Sequence, residues 1–185
     1  QRPQSPVGFR EQQAKLAREE EARQERLRAA QRAYLEHEQA EGLDTSQFEG
    51  FAWMDGIMDH QLEGIKFGAA AKRFVLGDEP GLGKTRQAIG YLDAVGCKKG
   101  ILIAPGEVAE QFAAELAELA EHREIIDFRS VSPGIRTSRQ QRLLASDNAI
   151  AVLNYEATRE TSTGLMGALL AWRADTLIAD EAHLF

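Results

Sequence analysis

The segment Gly77-Asp78-Glu79-Pro80-Gly81-Leu82-Gly83-Lys84-Thr85 carries the residue types of a phosphate cradle. Glycines at 81 and 83 let backbone N–H groups turn toward an anion with no Cβ in the way. A helix starting near Lys84 adds its positive N-terminal end. Lys84 is then the side chain that reaches the β- and γ-phosphates of a nucleotide, and the Thr85 hydroxyl the one that ligates Mg²⁺. The strict glycine pattern wants Gly where Asp78 stands, and a tight turn with an incidental Lys-Thr gives a similar string. Near the other end, Leu177-Ile178-Ala179-Asp180-Glu181-Ala182-His183 places two carboxylates directly after an apolar run. An acid in the place of Asp180 holds Mg²⁺, and a second in the place of Glu181 orients and polarises an attacking water. A polar strand end that caps a following helix is the simpler reading of those acids. Taken together, the two segments read as the two halves of one Mg·nucleotide site, with Lys84, Asp180 and Glu181 as its catalytic residues.

Such a site needs a sheet whose strand ends deliver both segments to one edge. From Asp59 onward the pattern alternates between helical and strand-like. The helical stretch HQLEGIKFGAAA leads into the apolar run Arg73-Phe74-Val75-Leu76, expected as the strand before the glycine loop. A helix through about Ala94 follows the loop. Then come a strand GILIAP, a helix EVAEQFAAELAEL, a strand EIIDF and a turn at Pro133-Gly134. A helix SRQQRLLAS, a strand AIAVLNY, a helix TGLMGALLAW and a last strand TLIAD complete the series. Strands apolar on both faces and separated by helices predict an α/β fold, a parallel sheet covered on both sides.

Composition bounds the remaining possibilities. The 185 residues suffice for one domain and an appendage, and 43% of them are apolar. A net charge of −7 argues against a protein that coats nucleic acid indiscriminately, so phosphate contacts must come from a local face. Cys97 is the single cysteine, which excludes a disulfide framework or a cysteine zinc site and predicts a buried or helix-end thiol. No apolar run approaches the ~20 residues of a membrane span. The opening QRPQSPVGFREQQ has neither an initiator Met nor an apolar signal region, so a fragment or processed chain in the cytoplasm or nucleus is expected.

Residues 1–47 form a separate arm. From Arg10 to Glu41 the chain is nearly all Glu, Arg, Gln, Ala and Leu, with Glu11/Lys15 and Glu19/Arg23 as favourable i,i+4 pairs. Phe9, Leu16, Leu27 and Tyr34 fall near heptad spacing, but Arg23 interrupts the seam. An exposed or partly disordered charged helix and a coiled-coil or partner-docking arm both fit. Gly42 ends the helix, and Phe48, Phe51, Trp53 and Met54 mark the start of packing, giving a lobe over residues 48–185.

The motifs resemble those of the first RecA-like lobe of superfamily 2 helicases, and specifically of the Swi/Snf-type branch. GDEPGLGKT is close to that branch's phosphate loop, in which Asp replaces the first glycine, so Asp78 supports the resemblance. Asp180-Glu181-Ala182-His183 spells the DEAH box of that superfamily. His60-Gln61-Leu62-Glu63-Gly64-Ile65 looks like the segment whose Gln contacts the adenine edge, which makes Gln61 a candidate for base recognition. Leu102-Ile103-Ala104-Pro105, followed by Gln111-Phe112, resembles a motif whose helix N-terminus meets nucleic-acid phosphates, with Phe112 where Trp is common. Val152-Leu153-Asn154-Tyr155-Glu156 looks like a further motif on that face, although Asn154 and Tyr155 equally suit a strand end that packs its ring.

The resemblance covers approximately residues 57–185. It implies ATP and Mg²⁺ as cofactors, held by Gln61, Asp78, Gly81, Leu82, Gly83, Lys84, Thr85, Asp180 and His183, with Thr85 and Asp180 on the metal. It implies duplex DNA as partner, met through Pro105, Gly106, Asn154 and Tyr155. It also implies a second RecA-like lobe, bearing arginine fingers, that is not in this sequence, so ATP binding with little hydrolysis is expected of the chain by itself. The motor lobe of an RNA helicase or of a restriction system is an alternative. A truncated, non-catalytic module that binds nucleotide or a protein partner is another, and a structural helical protein nucleated by residues 10–41 a third.

Overall fold

A computed structural model of the chain describes residues 15, 18, 20–25, 28, 43–129, 132–159 and 164–181. In the N-terminal arm residues 15, 18, 20–25 and 28 are helical and exposed. One turn there is tied by Gln24 to Glu20 (3.1 Å) and by Arg23 to Glu20 (3.7 Å). The expected seam residues Phe9, Leu16, Leu27 and Tyr34, and the helix-ending Gly42, lie outside the described residues.

Packing starts with two short 3-10 turns, Thr45–Phe48 and Ala52–Met54, which bury Phe48 and Trp53. The helices and strands then follow as α1 (Asp59–Ala71), α2 (Lys84–Ala94), β1 (Lys99–Ala104), α3 (Gly106–Leu119), β2 (Glu124–Asp127), α4 (Pro133–Ala145), β3 (Ala149–Asn154), α5 (Tyr155–Arg159), α6 (Leu165–Trp172) and β4 (Thr176–Ala179). The four strands make one parallel sheet in the order β2-β3-β1-β4. This is the expected α/β architecture, consistent with a RecA-like lobe.

Side chains alternate across a strand, and β3 shows what that does here. Ile150 and Val152 face a core built from Trp53, Ile65 of α1, Ile89 and Leu92 of α2, and Ala109, Phe112 and Leu116 of α3. Ala149, Ala151 and Leu153 face the opposite core, with Leu143 of α4 and Leu165, Leu169 and Trp172 of α6. Both faces of β3 are therefore apolar, and the i, i+3, i+7 spacing of Ala109, Phe112 and Leu116 gives α3 its buried stripe. Among the described residues, no helix is long and apolar enough to cross a membrane.

The structure corrects two expectations. Residues 74–79 form no strand. Phe74 is instead drawn into the helical layer, its ring 5.9 Å from that of Phe67 and 5.1 Å from that of Tyr91. It lies so close over α1 that a Cβ on Gly68 would meet its ring at 2.5 Å. Val75, with no sheet neighbour to cover it, is 90% exposed. Pro133-Gly134 is not a turn ahead of a helix but the first turn of α4 itself. Proline at the first helical position gives up an N–H that has no helical partner in any case, and its fixed φ suits the helix.

Candidate nucleotide site

Three of the sequence motifs meet because parallel strands deliver their ends to the same edge. Ala104 of β1 is in register with Asn154 of β3, and Ile103 with Ala179 of β4. Pro105-Gly106, Asn154-Tyr155 and Asp180-Glu181 therefore leave the C-terminal ends of three adjacent strands, where open α/β sheets bind ligands. The β1–β4 pairing continues to the acid itself, since the Asp180 N–H donates to the Ile103 carbonyl at 2.9 Å.

The glycine loop approaches this edge from the other side. A cavity of about 750 Å³ is lined by Asp78, Lys84 and Thr85 together with Asp180 and Glu181. Gly81 (φ +89°) and Gly83 (φ +75°) take left-handed backbone conformations that a side chain would strain. Gly83 is also the N-cap of α2, so Lys84 and Thr85 open the helix whose first N–H groups have no helical acceptor. Lys84 folds back along the loop, donating to the carbonyls of Asp78 (2.8 Å) and Glu79 (3.1 Å). The Asp78 carboxylate accepts from Gln87 Nε2 at 2.7 Å. At the same cavity, Asp180 Oδ1 accepts from the Glu181 N–H at 2.9 Å, and Glu181 sits at φ +51°.

The donor set suits a polyphosphate with its metal. It offers one ammonium, a hydroxyl beside a helix N-terminus and two further carboxylates around one cavity. Lys84 and the α2 N-terminus would hold phosphate oxygens. Thr85 and Asp180 would hold a hard divalent cation, which takes oxygen ligands and often keeps several waters. Among the described residues, no group of three or more His, Cys, Asp or Glu could hold a metal by itself. His183 lies outside the described residues.

The other candidates are placed differently. Gln61 is buried, only 5% exposed, with its Oε1 accepting from the Met58 N–H and its Nε2 donating to the Leu82 carbonyl, each at 3.1 Å. Asn154 Oδ1 accepts from the Ala157 N–H at 3.0 Å and so caps α5. Tyr155 is buried and its hydroxyl donates to the Asp180 carbonyl. Burial, with the Asp180 and Glu181 charges nearby, pushes the Tyr155 phenol above its ordinary pKa and keeps it a donor. Pro105 is the N-cap of α3, and the Gly106 carbonyl accepts from Arg129 at 3.4 Å.

Sequence reasoning missed two participants. Gln87 holds Asp78, and its signal was a polar residue on the buried face of α2, one turn from Gly83. His60 approaches the same Leu82 carbonyl as Gln61, at 3.2 Å, and its signal was its place beside Gln61.

Comparison with known proteins points the same way at coarse level. No family model matches the chain. It is 27% identical over 146 residues to Switch 2 of Arabidopsis thaliana, across 69% of this chain and 16% of that protein. It is 30% identical over 125 residues to an uncharacterized ATP-dependent helicase of Mycoplasma genitalium, across 63% of this chain and 11% of that protein. The chain thus spans a small part of either relative's length, and the second of them is described as an ATP-dependent helicase.

Proposed function

We propose that this chain is an ATP-binding lobe of a nucleic-acid-dependent, helicase-type ATPase of the Swi/Snf kind, with residues 48–185 forming the lobe. The observation that carries the reading is the single cavity shared by Asp78, Lys84 and Thr85 with Asp180 and Glu181. Segments about a hundred residues apart in sequence converge there with the charges that a metal–triphosphate complex requires. The similarity to helicase-type proteins, one of them described as ATP-dependent, supports the same class.

In this reading Mg·ATP supplies the phosphoanhydride whose hydrolysis is coupled to movement on nucleic acid. Lys84 gives phosphate oxygens the ammonium that it now donates to the carbonyls of Asp78 and Glu79. Thr85 and Asp180 hold the cation. Glu181 sits one residue beyond Asp180, lining the same cavity, and acts as the base toward water. Pro105-Gly106 and Asn154-Tyr155 open from neighbouring strand ends, so the proposed DNA face adjoins the nucleotide cleft. Tyr155 links the two directly, because the residue on that face bonds to the backbone of the metal-holding acid. Turnover in helicase-type motors depends on a second lobe, so residues 1–185 assayed alone should bind ATP and hydrolyse it slowly.

The test is equilibrium binding of a fluorescent ATP analogue with Mg²⁺, followed by steady-state ATPase with duplex DNA, single-stranded DNA and RNA. Micromolar binding with slow turnover is expected. Absence of nucleotide binding would overturn the reading.

A further inference from the structure

Helix α2 grips the phosphate loop twice at one residue. Lys84 Nζ donates to the backbone carbonyl of Asp78 at 2.8 Å, and Gln87 Nε2 donates to its carboxylate at 2.7 Å. Lys84 and Gln87 stand at i and i+3, neighbours on one side of the helix. The two grips differ in permanence. Lys84 is a half-buried ammonium on a flexible stem at the cavity lining. Gln87 is 2% exposed and wedged against α1, where a Cβ on Gly64 would stand 2.0 Å from its Oε1. That Oε1 has no hydrogen-bond partner. Turning the amide over would set an oxygen against the Asp78 carboxylate, acceptor on acceptor, so only this orientation bonds. An unpaired buried acceptor disfavours folding, and a hydrocarbon of similar size would avoid it. What the amide provides in exchange is its hold on Asp78.

Resting on the nucleotide-site reading, we infer that Gln87 is a positioning residue that keeps the start of the phosphate loop on α2 while Lys84 changes partners. Phosphate oxygens compete with the Asp78 and Glu79 carbonyls for the one ammonium, so nucleotide binding breaks the backbone grip. Residues 74–79 form no strand, so no sheet ladder holds that end of the loop in its place. The Gln87–Asp78 bond uses neither Lys84 nor the loop N–H groups, and it survives the exchange. Without it the loop start is released from α2 as the anion enters, and ordering it again lowers affinity. Asp78 serves here as an acceptor for Gln87, a part that a neutral amide plays as well as a carboxylate.

The experiment titrates ATP and inorganic tripolyphosphate, each with Mg²⁺, by calorimetry. It compares the unmodified chain with Gln87→Met, Asp78→Asn, Asp78→Ala and the double variant Asp78→Ala/Gln87→Met. Gln87→Met and Asp78→Ala should each weaken both ligands about fivefold, the worth of one hydrogen bond. The double variant should lose no more than either single one, because both substitutions break the same bond. Asp78→Asn, whose side-chain oxygen still accepts from Gln87, should bind both ligands as the unmodified chain does. The two Asp78 variants leave the packing of α1 on α2 untouched, so they decide the matter if Gln87→Met does not fold. Losses that multiply in the double variant would overturn the inference, as would unchanged affinity in Asp78→Ala. An Asp78→Asn loss as large as that of Asp78→Ala would also overturn it, by making the charge of Asp78 the working feature. Failure of the unmodified chain to bind either ligand would instead remove the nucleotide-site reading itself, and this inference with it.

Discussion

Lys84 donates to the carbonyl oxygen of Asp78 at 2.8 Å, so the loop's own backbone receives the charge that a phosphate would take. A second carbonyl, that of Glu79, shares it at 3.1 Å. The ammonium is thus kept at the lining of the cavity that Thr85 and Asp180 also share. Replacing it should separate binding from folding. Lys84→Met keeps the stem and removes the charge, so affinity for Mg·ATP should fall at least tenfold. The fold should lose only about 1 kcal/mol, the worth of exchanging such hydrogen bonds with water. Analogue titration and a thermal melt on the same sample measure the two effects.

Tyr155 provides a different kind of support. Its ring is buried, and its hydroxyl spans from the start of α5 to the Asp180 backbone. Tyr155→Phe removes one hydrogen bond and leaves a carbonyl without this donor, at a cost of about 1 kcal/mol. For a chain of this size the midpoint should drop by roughly 2–4 °C in calorimetry. If Tyr155 acts chiefly through Asp180, the variant should weaken Mg²⁺-dependent nucleotide binding more than it weakens DNA binding. The reverse order would mean that Tyr155 acts chiefly at the nucleic-acid face.

The alternating pattern made the layers legible in advance because β3 and α3 carry their burial in local sequence. Runs such as AIAVLN and the spacing Ala109, Phe112, Leu116 need no knowledge of their neighbours. The lone thiol was readable for the same reason. Cys97 follows α2, is 2% exposed, and has its pKa pushed up to about 11, chiefly by burial. Arg73–Leu76 was misread because strand formation depends on a partner edge, which a local apolar run does not encode. Its Phe74 found Phe67 and Tyr91 instead. At the site, the charged ends Lys84, Asp180 and Glu181 could be named from their motifs. The side chains that bond to the loop, Gln61, His60 and Gln87, required the fold, since their partners are backbone or distant side-chain atoms that no motif spells.

Asp93 makes another such hidden contribution to stability. Its carboxylate accepts from the Trp53 indole at 2.8 Å, lies 3.0 Å from His122 Nε2, and pairs with Arg123. The Asp93 and Arg123 side chains are 5% and 4% exposed, so removal of the acid strands a guanidinium in the interior. Asp93→Ala should therefore cost about 3–5 kcal/mol, far more than a surface pair. Urea unfolding followed by tryptophan fluorescence measures it, because Trp53 loses its partner in the same step. A loss below about 1 kcal/mol would mean that Arg123 finds equivalent acceptors in the Cys97 carbonyl and Asn148.

Asp175 should give the fold a measurable dependence on acid. Burial alone would raise its pKa, but the N–H groups of Lys98 (3.0 Å) and Lys99 (3.1 Å), together with bonds from Cys97 and Thr176, outweigh that effect. The folded-state pKa therefore lies below the ordinary 3.8. A group depressed on folding contributes its full stability above the unfolded value and loses it as pH falls through the folded one. The contribution should thus be intact at neutral pH and fade below about pH 4. Asp175→Asn can still accept a hydrogen bond but does not titrate, so its unfolding free energy should fall less steeply than that of the unmodified chain between about pH 5 and pH 2. Asp175→Ala should cost about 1 kcal/mol at neutral pH, because the N–H groups of Lys98 and Lys99, at the start of β1, lose this acceptor to water. Parallel slopes for the unmodified chain and Asp175→Asn in urea titrations across that range would show that the carboxylate is not held by these bonds.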